Sequence, residues 1–466
     1  MVHLTVQLSK YLMILLFLAY TYQCFHVFRI DGDEKRRRRI YNMQRALMFA
    51  IHFIAFSVLY ITTEDVRLIL LGLMELVFFA AVFTSCHLFF ERASELVLNN
   101  MCMLLSVGFF FLARLNYDQA FRQFLFACVG FTVSLMIPPV LNRMPVFRRL
   151  TWLYAAVGIG ALVLVAVAGS RSFGAKLSIS IGFVSIQPSE FVKIVFVLFL
   201  ASMLYQKPNF VRILLTAVVA AVFVLVLVVS KDLGGALLYF LVCLFMIYVA
   251  SRRPVYLAAG FCALAGAALA GWRLFSHVQT RVLAWTDPLS VIDDEGYQIS
   301  QSLFAIGTGG WFGLGLNQGY PKKIPVVSKD FIFSAISEEM GGVFALCLIL
   351  VCASCFLMIM NVAMRLKDPF YKLTAAGLGT FYAAQVILMI GGGIRFIPST
   401  GVTLPLVSYG GSSLLATMIM FGIVQGLYIM QCSAVRQPGM RKGGAGNGAG
   451  KKSTAAAKSV KNAKRS

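Results

Sequence analysis

Runs of about 20 apolar residues recur along almost the whole chain, and they constrain its fold more than any other feature. A helix of that length crosses the hydrocarbon core of a bilayer. Of the 466 residues, 59% are hydrophobic and only 13% are charged, whereas soluble domains average roughly 45–50% apolar residues. A soluble core that hides every run is incompatible with this composition. The sequence therefore predicts an integral membrane protein of the all-α class, a polytopic bundle of transmembrane helices.

Breaks between the runs divide the chain into thirteen predicted transmembrane helices. The first is longer than the apolar part of a usual signal peptide and is followed by charged residues, so it is predicted to be retained. The fourth is short and has the weakest pattern. The thirteen spans are 11–28, 43–63, 68–87, 99–113, 123–141, 150–169, 187–205, 211–230, 233–250, 255–275, 339–362, 373–393 and 405–431.

The placement of lysine and arginine predicts the orientation of these helices, because the cytoplasmic loops of membrane proteins are enriched in both. With thirteen spans, the main basic clusters all fall on one side of the membrane. The loops on that side carry roughly twice as many Lys and Arg residues as the short segments opposite. We expect a multi-pass plasma-membrane protein with its N-terminus outside, its C-terminus in the cytoplasm and the long loop 276–338 outside.

The C-terminal tail, residues 432–466, has a different composition. It is rich in Gly, Ala and Ser, and from Arg436 onward it contains nine Lys or Arg residues and no acidic residue. Such a segment cannot bury a core and is predicted to be disordered. Its charge would attract anionic membrane lipids at the inner leaflet. Nucleic acid is not an expected partner, because no aromatic residues suited to base stacking accompany the charge.

Polar side chains at membrane depth are costly and usually functional, and the predicted topology places three groups of them at the outer face. In the first group, Pro188 suits the first turn of a helix, and Glu190 and Lys193 can pair at i,i+3 spacing. This pair is either a structural ion pair or part of a binding site. Asp232, in the second group, either caps a helix start or faces a shared outer cavity.

The third group lies in the long polar loop 276–338, which separates two apolar spans. Candidate substrate-binding side chains in this loop are Arg281, Gln298 and Gln301. A glycine-rich run, 307–319, would allow backbone amides to approach an anionic group closely. Its spacing matches neither of the common nucleotide-binding patterns, so this signal is weak by itself.

The acidic residue near the end of this loop, Asp330, is the candidate for catalysis. Its neighbours Phe331 and Phe333 create an apolar setting, which raises the pKa of a carboxyl group toward the range of a general base. The alternative is an acidic loop residue held in solvent. Ser408 belongs to a further hydroxyl-rich stretch, 404–413, whose small residues either permit close helix approach or line a polar cleft.

Five blocks of sequence occur in the order found in one known family: GFVSIQPSEFVKI, KDLGGALLYFLVCLFMIYVA, DPLSVIDDEGYQISQSLFAIGTGGWFGLGL, KDFIFSAISEEMG and FIPSTGVTLPLVSYGGSS. The chain resembles the SEDS family of shape, elongation, division and sporulation proteins. The resemblance implies a ten-helix membrane glycosyltransferase core, placed at residues 99–431, that polymerises lipid II into peptidoglycan with a class B penicillin-binding protein as partner. Residues 1–98 would form about three extra N-terminal helices.

The same resemblance assigns roles to individual residues. Asp330 matches the acid that is regarded as catalytic in the family. Glu190, Lys193 and Asp232 match polar residues of the extracytoplasmic cavity. The chain departs from the family pattern at Arg395, where glycine is common.

The function predicted on these grounds is inverting glycosyl transfer at the outer membrane face, for cell shape, division or sporulation. Asp330 would activate a sugar hydroxyl of one lipid II molecule. Lys193, Arg281 or a divalent cation (Mg²⁺ or Mn²⁺) would stabilise the pyrophosphate that leaves the other; no other cofactor is predicted. Two alternatives stay open, a transporter that flips lipid II and a non-catalytic scaffold of a cell-wall synthesis complex. A transporter would carry its polar residues near the bilayer midplane.

Overall fold

The computed structural model describes residues 2–30, 33–143, 145–172, 175–181, 184–206, 208–294 and 296–443. These residues form fifteen α-helices and a small three-stranded antiparallel sheet. Twelve helices within the described ranges are long and apolar enough to cross a membrane, and the span predicted at 187–205 corresponds to a helix of 17 residues. All thirteen predicted spans thus coincide with helices, and the all-α, multi-pass membrane bundle is confirmed.

Several helices of the first half are longer than the apolar runs that predicted them, because short polar side chains cap their first turns. Asp33, Asp65 and Ser94 each accept a hydrogen bond from a backbone N–H of the helix that follows. The first eight helices are α1 (Val2–His26), α2 (Glu34–Thr63), α3 (Val66–Phe89), α4 (Glu95–Leu115), α5 (Tyr117–Arg143), α6 (Thr151–Ala168), α7 (Pro188–Leu204) and α8 (Phe210–Val229).

The prediction of a short, weak fourth span was wrong, because α4 is a full 21-residue helix and is entirely enclosed by its neighbours. The predicted span, 99–113, begins with two asparagines, which interrupt the apolar sequence between Leu98 and Met101. Asn100 accepts a hydrogen bond from the Tyr20 hydroxyl at 3.0 Å and donates one to Ser354 Oγ at 3.1 Å. Asn99 donates to Gln44 Oε1 at 2.9 Å. Buried amides that are satisfied in this way tie α4 to the helices around it.

The second half of the chain contains the helices that enclose the long polar segment. They are α9 (Leu233–Ser251), α10 (Pro254–Leu274), α11 (Ser276–Thr286), α12 (Tyr297–Gly309), α13 (Ile332–Arg365), α14 (Pro369–Gly393) and α15 (Gly411–Gly443). The loop 276–338 is therefore not a simple loop, since it contains α11, α12 and the start of α13. One face of α12 is buried against α13, which explains how so polar a segment folds into helices.

The helix α13 is broken at Gly341, whose φ of 81° and ψ of 171° are outside the helical region. The backbone groups released by the break pair with the glycine-rich run: Leu314 N donates to Glu338 O at 3.0 Å, and Gly315 N to Glu339 O at 2.8 Å. A side chain at Gly341 would collide with the backbone of Gly313. A broken helix is tolerated at membrane depth only when its backbone is satisfied in this way.

A small sheet between α6 and α7 was not predicted, because its strands are short. It consists of β1 (Ser170–Ser172), β2 (Ala175–Ile181) and β3 (Val184–Ile186). The strands pair in sequence order as two antiparallel hairpins, with Arg171 opposite Lys176 and Ser180 opposite Ser185. The sheet packs on the ends of α6, α7 and α15.

Successive long helices run in opposite directions, so their ends form two layers. The layer that contains Asp330, the glycine-rich run and the sheet is called the site end. The layer that contains the basic clusters near 35–39 and 365–372 is called the basic end. A contact within the first layer supports the division, because Lys10 Nζ near the start of α1 donates to Gly313 O at 3.0 Å. The candidate polar residues thus share one face of the bundle.

The first three helices pack against the rest of the bundle around a fully buried polar cluster. His52 of α2 lies with its Nε2 3.2 Å from Glu75 Oε2 of α3 and its Nδ1 2.8 Å from Ser106 Oγ of α4. All three residues are buried. Polar contacts of this kind between membrane helices fix which faces meet.

The C-terminal helix α15 continues to Gly443, so it includes the first twelve residues of the tail 432–466, which was predicted to be disordered. Extending an existing helix adds one hydrogen bond for each residue that is ordered, which favours continuation into a weakly helical sequence. The rest of the basic tail, 444–466, lies outside the described residues.

Candidate active site

Asp330 lies at the site end, two residues before α13 begins, and its side chain is half-buried. Phe331 beside it is 1% exposed and packs in a small separate core with Ala284 of α11, Ile299 of α12 and Ile324. This core fixes the position of the backbone that carries Asp330. The two helices that the sequence did not predict therefore hold the candidate catalytic acid in place.

Burial raises the pKa of Asp330 to about 6, and the positive charges of Lys329 and Arg281 oppose the increase. A carboxyl group in this range is mostly ionised at neutral pH yet is a stronger base than a solvated aspartate. The side chain therefore suits proton abstraction from a substrate hydroxyl. The alternative of an acid held in open solvent does not describe this side chain.

The segment that follows α14 forms the wall next to this carboxylate. The Cβ position of Gly401 lies 3.9 Å from Asp330 Oδ2. Ser408 Oγ donates to Lys329 O at 2.6 Å and accepts from Leu404 N at 2.9 Å. Ser408 thus lies close to the site, as predicted, but its hydroxyl ties two backbone segments together. These hydrogen bonds give its hydroxyl a positioning role, and the predicted contact with substrate stays a prediction.

Arg281 of α11 lies in the same region as Asp330 and the second acidic residue, Asp232. Its NH1 donates to Ser399 O at 3.3 Å, while the side chain as a whole is exposed. Its positive charge lowers the pKa of both Asp330 and Asp232. An exposed guanidinium next to a candidate base is well placed to meet an anionic substrate group.

Asp232 caps a helix, which is the first of its two predicted interpretations; the second, that it faces a shared outer cavity, stays a prediction. Its Oδ1 accepts a hydrogen bond from Gly235 N at 2.8 Å, which caps α9. Burial raises the pKa of Asp232 above its ordinary value; the Gly235 N–H lowers it, the charge of Glu190 raises it and that of Arg281 lowers it. These influences show that the three charged side chains lie in one neighbourhood.

Glu190 and Lys193 form the predicted ion pair on α7, with Nζ and Oε2 2.5 Å apart. Lys193 also donates to Gln385 Oε1 of α14 at 2.9 Å, and Gln385 donates to Thr403 O at 2.9 Å. Lys193 is only 7% exposed. Its charge is therefore already neutralised inside the bundle, which favours the structural interpretation for this lysine.

The two predicted glutamines are less closely connected with this cluster. Gln298 is exposed and Gln301 is half-buried on α12. Within the described part of the chain, no recorded hydrogen bond or ion pair joins either one to Asp330 or Arg281. Their assignment to substrate binding stays a prediction.

Sequence reasoning missed the residues that hold α11 in place. Arg395 has a positive φ of 60°, and its Nε donates to Trp285 O at 2.7 Å. Trp285 Nε1 donates in return to Arg395 O at 3.2 Å. The available signal was the family preference for glycine at this position, which is typical of a positive φ. Here an arginine adopts that conformation and satisfies the last carbonyls of the helix that carries Arg281.

A second missed element is Arg114 at the end of α4. Its Nε donates to Glu339 Oε1 at 3.0 Å, and its NH2 donates to Gly319 O at 3.1 Å. Glu339 also accepts hydrogen bonds from the backbone N–H groups of Asn317, at 3.1 Å, and Gly319, at 3.3 Å. Backbone N–H groups of the glycine-rich run thus bind the carboxylate of Glu339 and the carbonyl groups at the break in α13. These N–H groups are already hydrogen-bonded inside the protein, which does not support their predicted use for an external anion.

The N-terminal helices support the same run from the other side. Lys10 and Gln7 of α1 donate to Gly313 O at 3.0 Å and Leu314 O at 3.2 Å, respectively. Asn317 Nδ2 donates to Thr62 Oγ1 of α2 at 2.9 Å. The helices before the predicted core are therefore in direct contact with the segment that precedes Asp330.

The contact from Lys10 predicts a local change in stability. We expect Lys10→Met to increase the amide hydrogen-exchange rate of residues 313–315 about ten-fold, because a hydrogen bond from a charged donor is lost. The matched control is His3→Leu, an exposed polar-to-apolar change on the same helix. Unchanged exchange in Lys10→Met, or an equal increase in His3→Leu, would contradict this role of α1.

The predicted divalent cation finds no ready-made site. Among the described residues, no three carboxylate, imidazole or thiol side chains converge closely enough to hold a metal ion. Of the acidic residues near the site, Asp232 caps α9, Glu190 is paired with Lys193, and Asp330 is a single half-buried carboxylate. The divalent cation stays a prediction, and the glycosyl transfer proposed for this protein does not depend on it.

Together, the fold and the site define a multi-pass membrane protein with a group of charged side chains at one end of its helix bundle. A family model described as "Cell cycle protein", which covers FtsW, RodA and SpoVE proteins, matches residues 87–431. The chain belongs to this family, and the resemblance to the SEDS proteins is confirmed.

Curated relatives agree over most of their length. The chain is 34% identical over 384 residues to "Peptidoglycan glycosyltransferase RodA" of Mycobacterium tuberculosis, covering 74% of this chain and 81% of the relative. It is 31% identical over 331 residues to "Stage V sporulation protein E" of Bacillus subtilis, covering 67% of this chain and 88% of the relative.

Solved structures share the fold. A chain from a study of polymerisation and crosslinking by a peptidoglycan synthase complex aligns with a TM-score of 0.63 and 25% identity, covering 73% of this chain and 98% of that chain. The rod shape determining protein RodA of Thermus thermophilus aligns with a TM-score of 0.56 and 24% identity, covering 73% of this chain and 97% of that chain. The part of this chain outside the alignments is thus about a quarter of its length.

Proposed function

We propose that this protein is a peptidoglycan glycosyltransferase that joins lipid II units, with Asp330 as the general base. The observation that carries the proposal is a half-buried carboxylate with a pKa of about 6, at the site end of a family member whose relatives are named for this activity. Relatives named FtsW and stage V sporulation protein E share the same core. Polymerisation is the chemistry that cell shape, division and sporulation have in common.

The proposed reaction is a single inverting displacement. Asp330 accepts the proton of the GlcNAc 4-hydroxyl of one lipid-linked sugar. That oxygen forms a bond to the MurNAc anomeric carbon of a second lipid II, while the bond to undecaprenyl pyrophosphate breaks and the leaving group takes the electron pair. An α linkage is thereby converted into a β linkage. Asp330 returns its proton to solvent before the next cycle.

Arg281 is the group we assign to the departing pyrophosphate. It is exposed and its charge already acts on Asp330, whereas Lys193 is buried and paired with Glu190. A fixed positive charge lowers the free energy of a transition state in which negative charge develops on the leaving group. Of the two side chains predicted for this role, Lys193 and Arg281, we therefore favour Arg281.

The site end is the outer face in this proposal. The basic clusters at the other end support that orientation by the positive-inside rule, which puts the N-terminus outside and the C-terminus in the cytoplasm. Lipid II would then present its sugars to Asp330, with its undecaprenyl chains in the apolar grooves between helices. A class B penicillin-binding protein is the proposed partner, supported by the likeness to a chain from a peptidoglycan synthase complex.

The test is polymerisation by the purified protein. Fluorescent lipid II is incubated with the protein in detergent and the products are separated by gel electrophoresis. We expect a ladder of glycan chains that disappears on muramidase digestion. The absence of polymer, together with movement of lipid II across vesicle membranes, would instead identify the transporter. Neither activity, with retained partner binding, would identify the scaffold. The grouping of the charged cluster at one end of the bundle, away from the midplane, favours the enzyme.

The raised pKa of Asp330 predicts the pH dependence of the reaction. A general base works when deprotonated, so the polymerisation rate should rise with pH, reach half of its maximum near pH 6, the pKa of the carboxyl group, and level off above about pH 7. An ordinary aspartate would instead give a half-maximal rate near pH 4. Initial rates over this range, with the folded state checked at each pH, test the assignment. A flat profile between about pH 5 and 7 would contradict it.

A further inference from the structure

A loop between α14 and α15, residues 404–410, binds the backbone just before the candidate base. Ser408 Oγ donates to Lys329 O at 2.6 Å, and Tyr409 N donates to Ser328 O at 2.8 Å. The base itself is the next residue along the chain. Two consecutive residues of the 404–410 loop thus bind the two consecutive carbonyl groups that precede the base.

Both segments that meet here have a backbone conformation that needs support. Val326 has a φ of 56° and Leu406 a φ of 68°, in the left-handed region that residues with bulky side chains rarely adopt. Lys329 N and Asp330 N both donate to Val326 O, at 3.0 and 3.2 Å, so the turn that begins at Val326 ends at the base. Such residues cost about 1–3 kcal/mol each and persist only when their surroundings fix them.

The support on one side comes from a fully buried glutamine, Gln123 of α5. Its Nε2 donates to Ser408 O at 3.1 Å, and its Oε1 accepts a hydrogen bond from Gly410 N at 3.2 Å. One amide group thus satisfies a backbone acceptor and a backbone donor on either side of Tyr409. Gln123 therefore fixes the part of the loop that binds the carbonyl groups before the base.

The helices α4 and α14 support the remainder of the loop. A Cβ at Gly108 of α4 would lie 2.8 Å from both Leu406 O and Val407 O, so glycine allows the loop to lie directly on this helix. Gln385 of α14 donates to Thr403 O at 2.9 Å, immediately before the loop. The loop is therefore held at both ends by buried glutamines, and its backbone rests on α4 between them.

We propose that Gln123 is a positioning residue for glycosyl transfer, which acts through the 404–410 loop to hold Asp330 in place. This inference rests on the proposed function, with Asp330 as the base. Without the two hydrogen bonds from Gln123, Ser408 and Tyr409 would no longer be held against the carbonyl groups that precede the base. The turn that carries the half-buried carboxylate would then shift. A displacement of about 1 Å at a reacting group lowers the rate by about a hundred-fold.

The test compares Gln123→Met, which keeps the length of the side chain but removes both hydrogen bonds, with the matched control Gln44→Met. Gln44 is also fully buried and accepts a hydrogen bond from Asn99 Nδ2 at 2.9 Å, but it lies near the basic end. With full-length protein and labelled lipid II, Gln123→Met should lower kcat about ten- to a hundred-fold and change KM less than about three-fold. Gln44→Met should keep both constants, while the two variants lose similar thermal stability.

Two further measurements separate positioning from general destabilisation. In Gln123→Met the pH of half-maximal rate should fall from about 6 toward about 4, the value of a solvated aspartate, because water reaches the carboxylate more easily. Amide hydrogen exchange at Tyr409 should become at least about ten times faster, because its N–H is no longer held on Ser328 O. Exchange does not require activity. If the unmodified protein makes no polymer, the proposed function fails, and exchange at Tyr409 still decides whether Gln123 holds the loop.

A second variant disturbs the same loop from α4. Gly108→Ala places a methyl group against the loop backbone and should produce the same fall in kcat and in the pH of half-maximal rate, including the case in which Gln123→Met does not fold. Three results would overturn the proposal: a normal kcat and pH profile in whichever of these two variants folds, an equal kinetic loss in Gln44→Met, or unchanged exchange at Tyr409.

Discussion

Asp330→Asn is expected to lower the rate of lipid II polymerisation by about 10²–10⁴-fold, because an amide cannot accept the proton of the attacking hydroxyl. The substitution conserves shape, and the small core around Phe331 does not involve the carboxylate. The variant should therefore fold normally and still bind lipid II. The expected signature is a large loss of turnover with little change in binding.

The control for this experiment is Asp293→Asn, which neutralises an exposed acid in the same polar segment and should polymerise at the normal rate. Measurements are initial rates with labelled lipid II and a separate binding titration. Near-normal polymerisation by Asp330→Asn would eliminate this residue as the base. A loss in both variants would instead show that the overall charge of the segment matters.

Glu339→Ala is expected to destabilise the protein by about 3–5 kcal/mol, because it leaves a buried arginine without its acid. Arg114 and Glu339 have side chains that are 11% and 0% exposed. The alanine also removes the acceptor for the N–H groups of Asn317 and Gly319. The readout is the unfolding midpoint in detergent, together with the hydrogen exchange of residues 313–319.

A second Arg–Glu pair of the same chain provides the comparison. Arg45 and Glu95 are 2.8 Å apart, but their side chains are 27% and 33% exposed. Solvent screens such a pair, so Glu95→Ala should cost no more than about 1 kcal/mol. If both substitutions had the same effect, burial would not be the reason for the stability of the Arg114–Glu339 pair. Glu339→Gln, which keeps an acceptor oxygen, should fall between the two.

Local sequence patterns were sufficient for the helices themselves. A helix in a membrane must satisfy its backbone internally, so any apolar run of about 20 residues has few alternatives. Pro188 begins α7 as predicted, and Asp232 caps α9 as one of its two interpretations required. Both features depend only on residues within one turn, which is why a sequence reveals them.

The helices α11 and α12 were not predicted because their apolar pattern is weak and their stability comes from packing. Ile299 and Ala305 are buried in a small core that they share with Phe331 and Ile324, residues from outside the helix. The prediction for α4 underestimated its length for a related reason. Asn99 and Asn100 look like an interruption until partners from other helices satisfy them.

The sequence by itself determined that this is a membrane helix bundle, that its charged candidates share one end, and that Asp330 is the candidate base. These conclusions follow from hydropathy, charge placement and motifs, which are properties of neighbouring residues. Only the tertiary structure decided which residues from other segments form hydrogen bonds and ion pairs with the polar side chains. Arg114 binds Glu339, Lys193 donates to Gln385 of α14, and α1 supports the glycine-rich run. Such pairings depend on which helices lie side by side, because a buried charge is stable only where the packing of distant segments supplies its counter-charge.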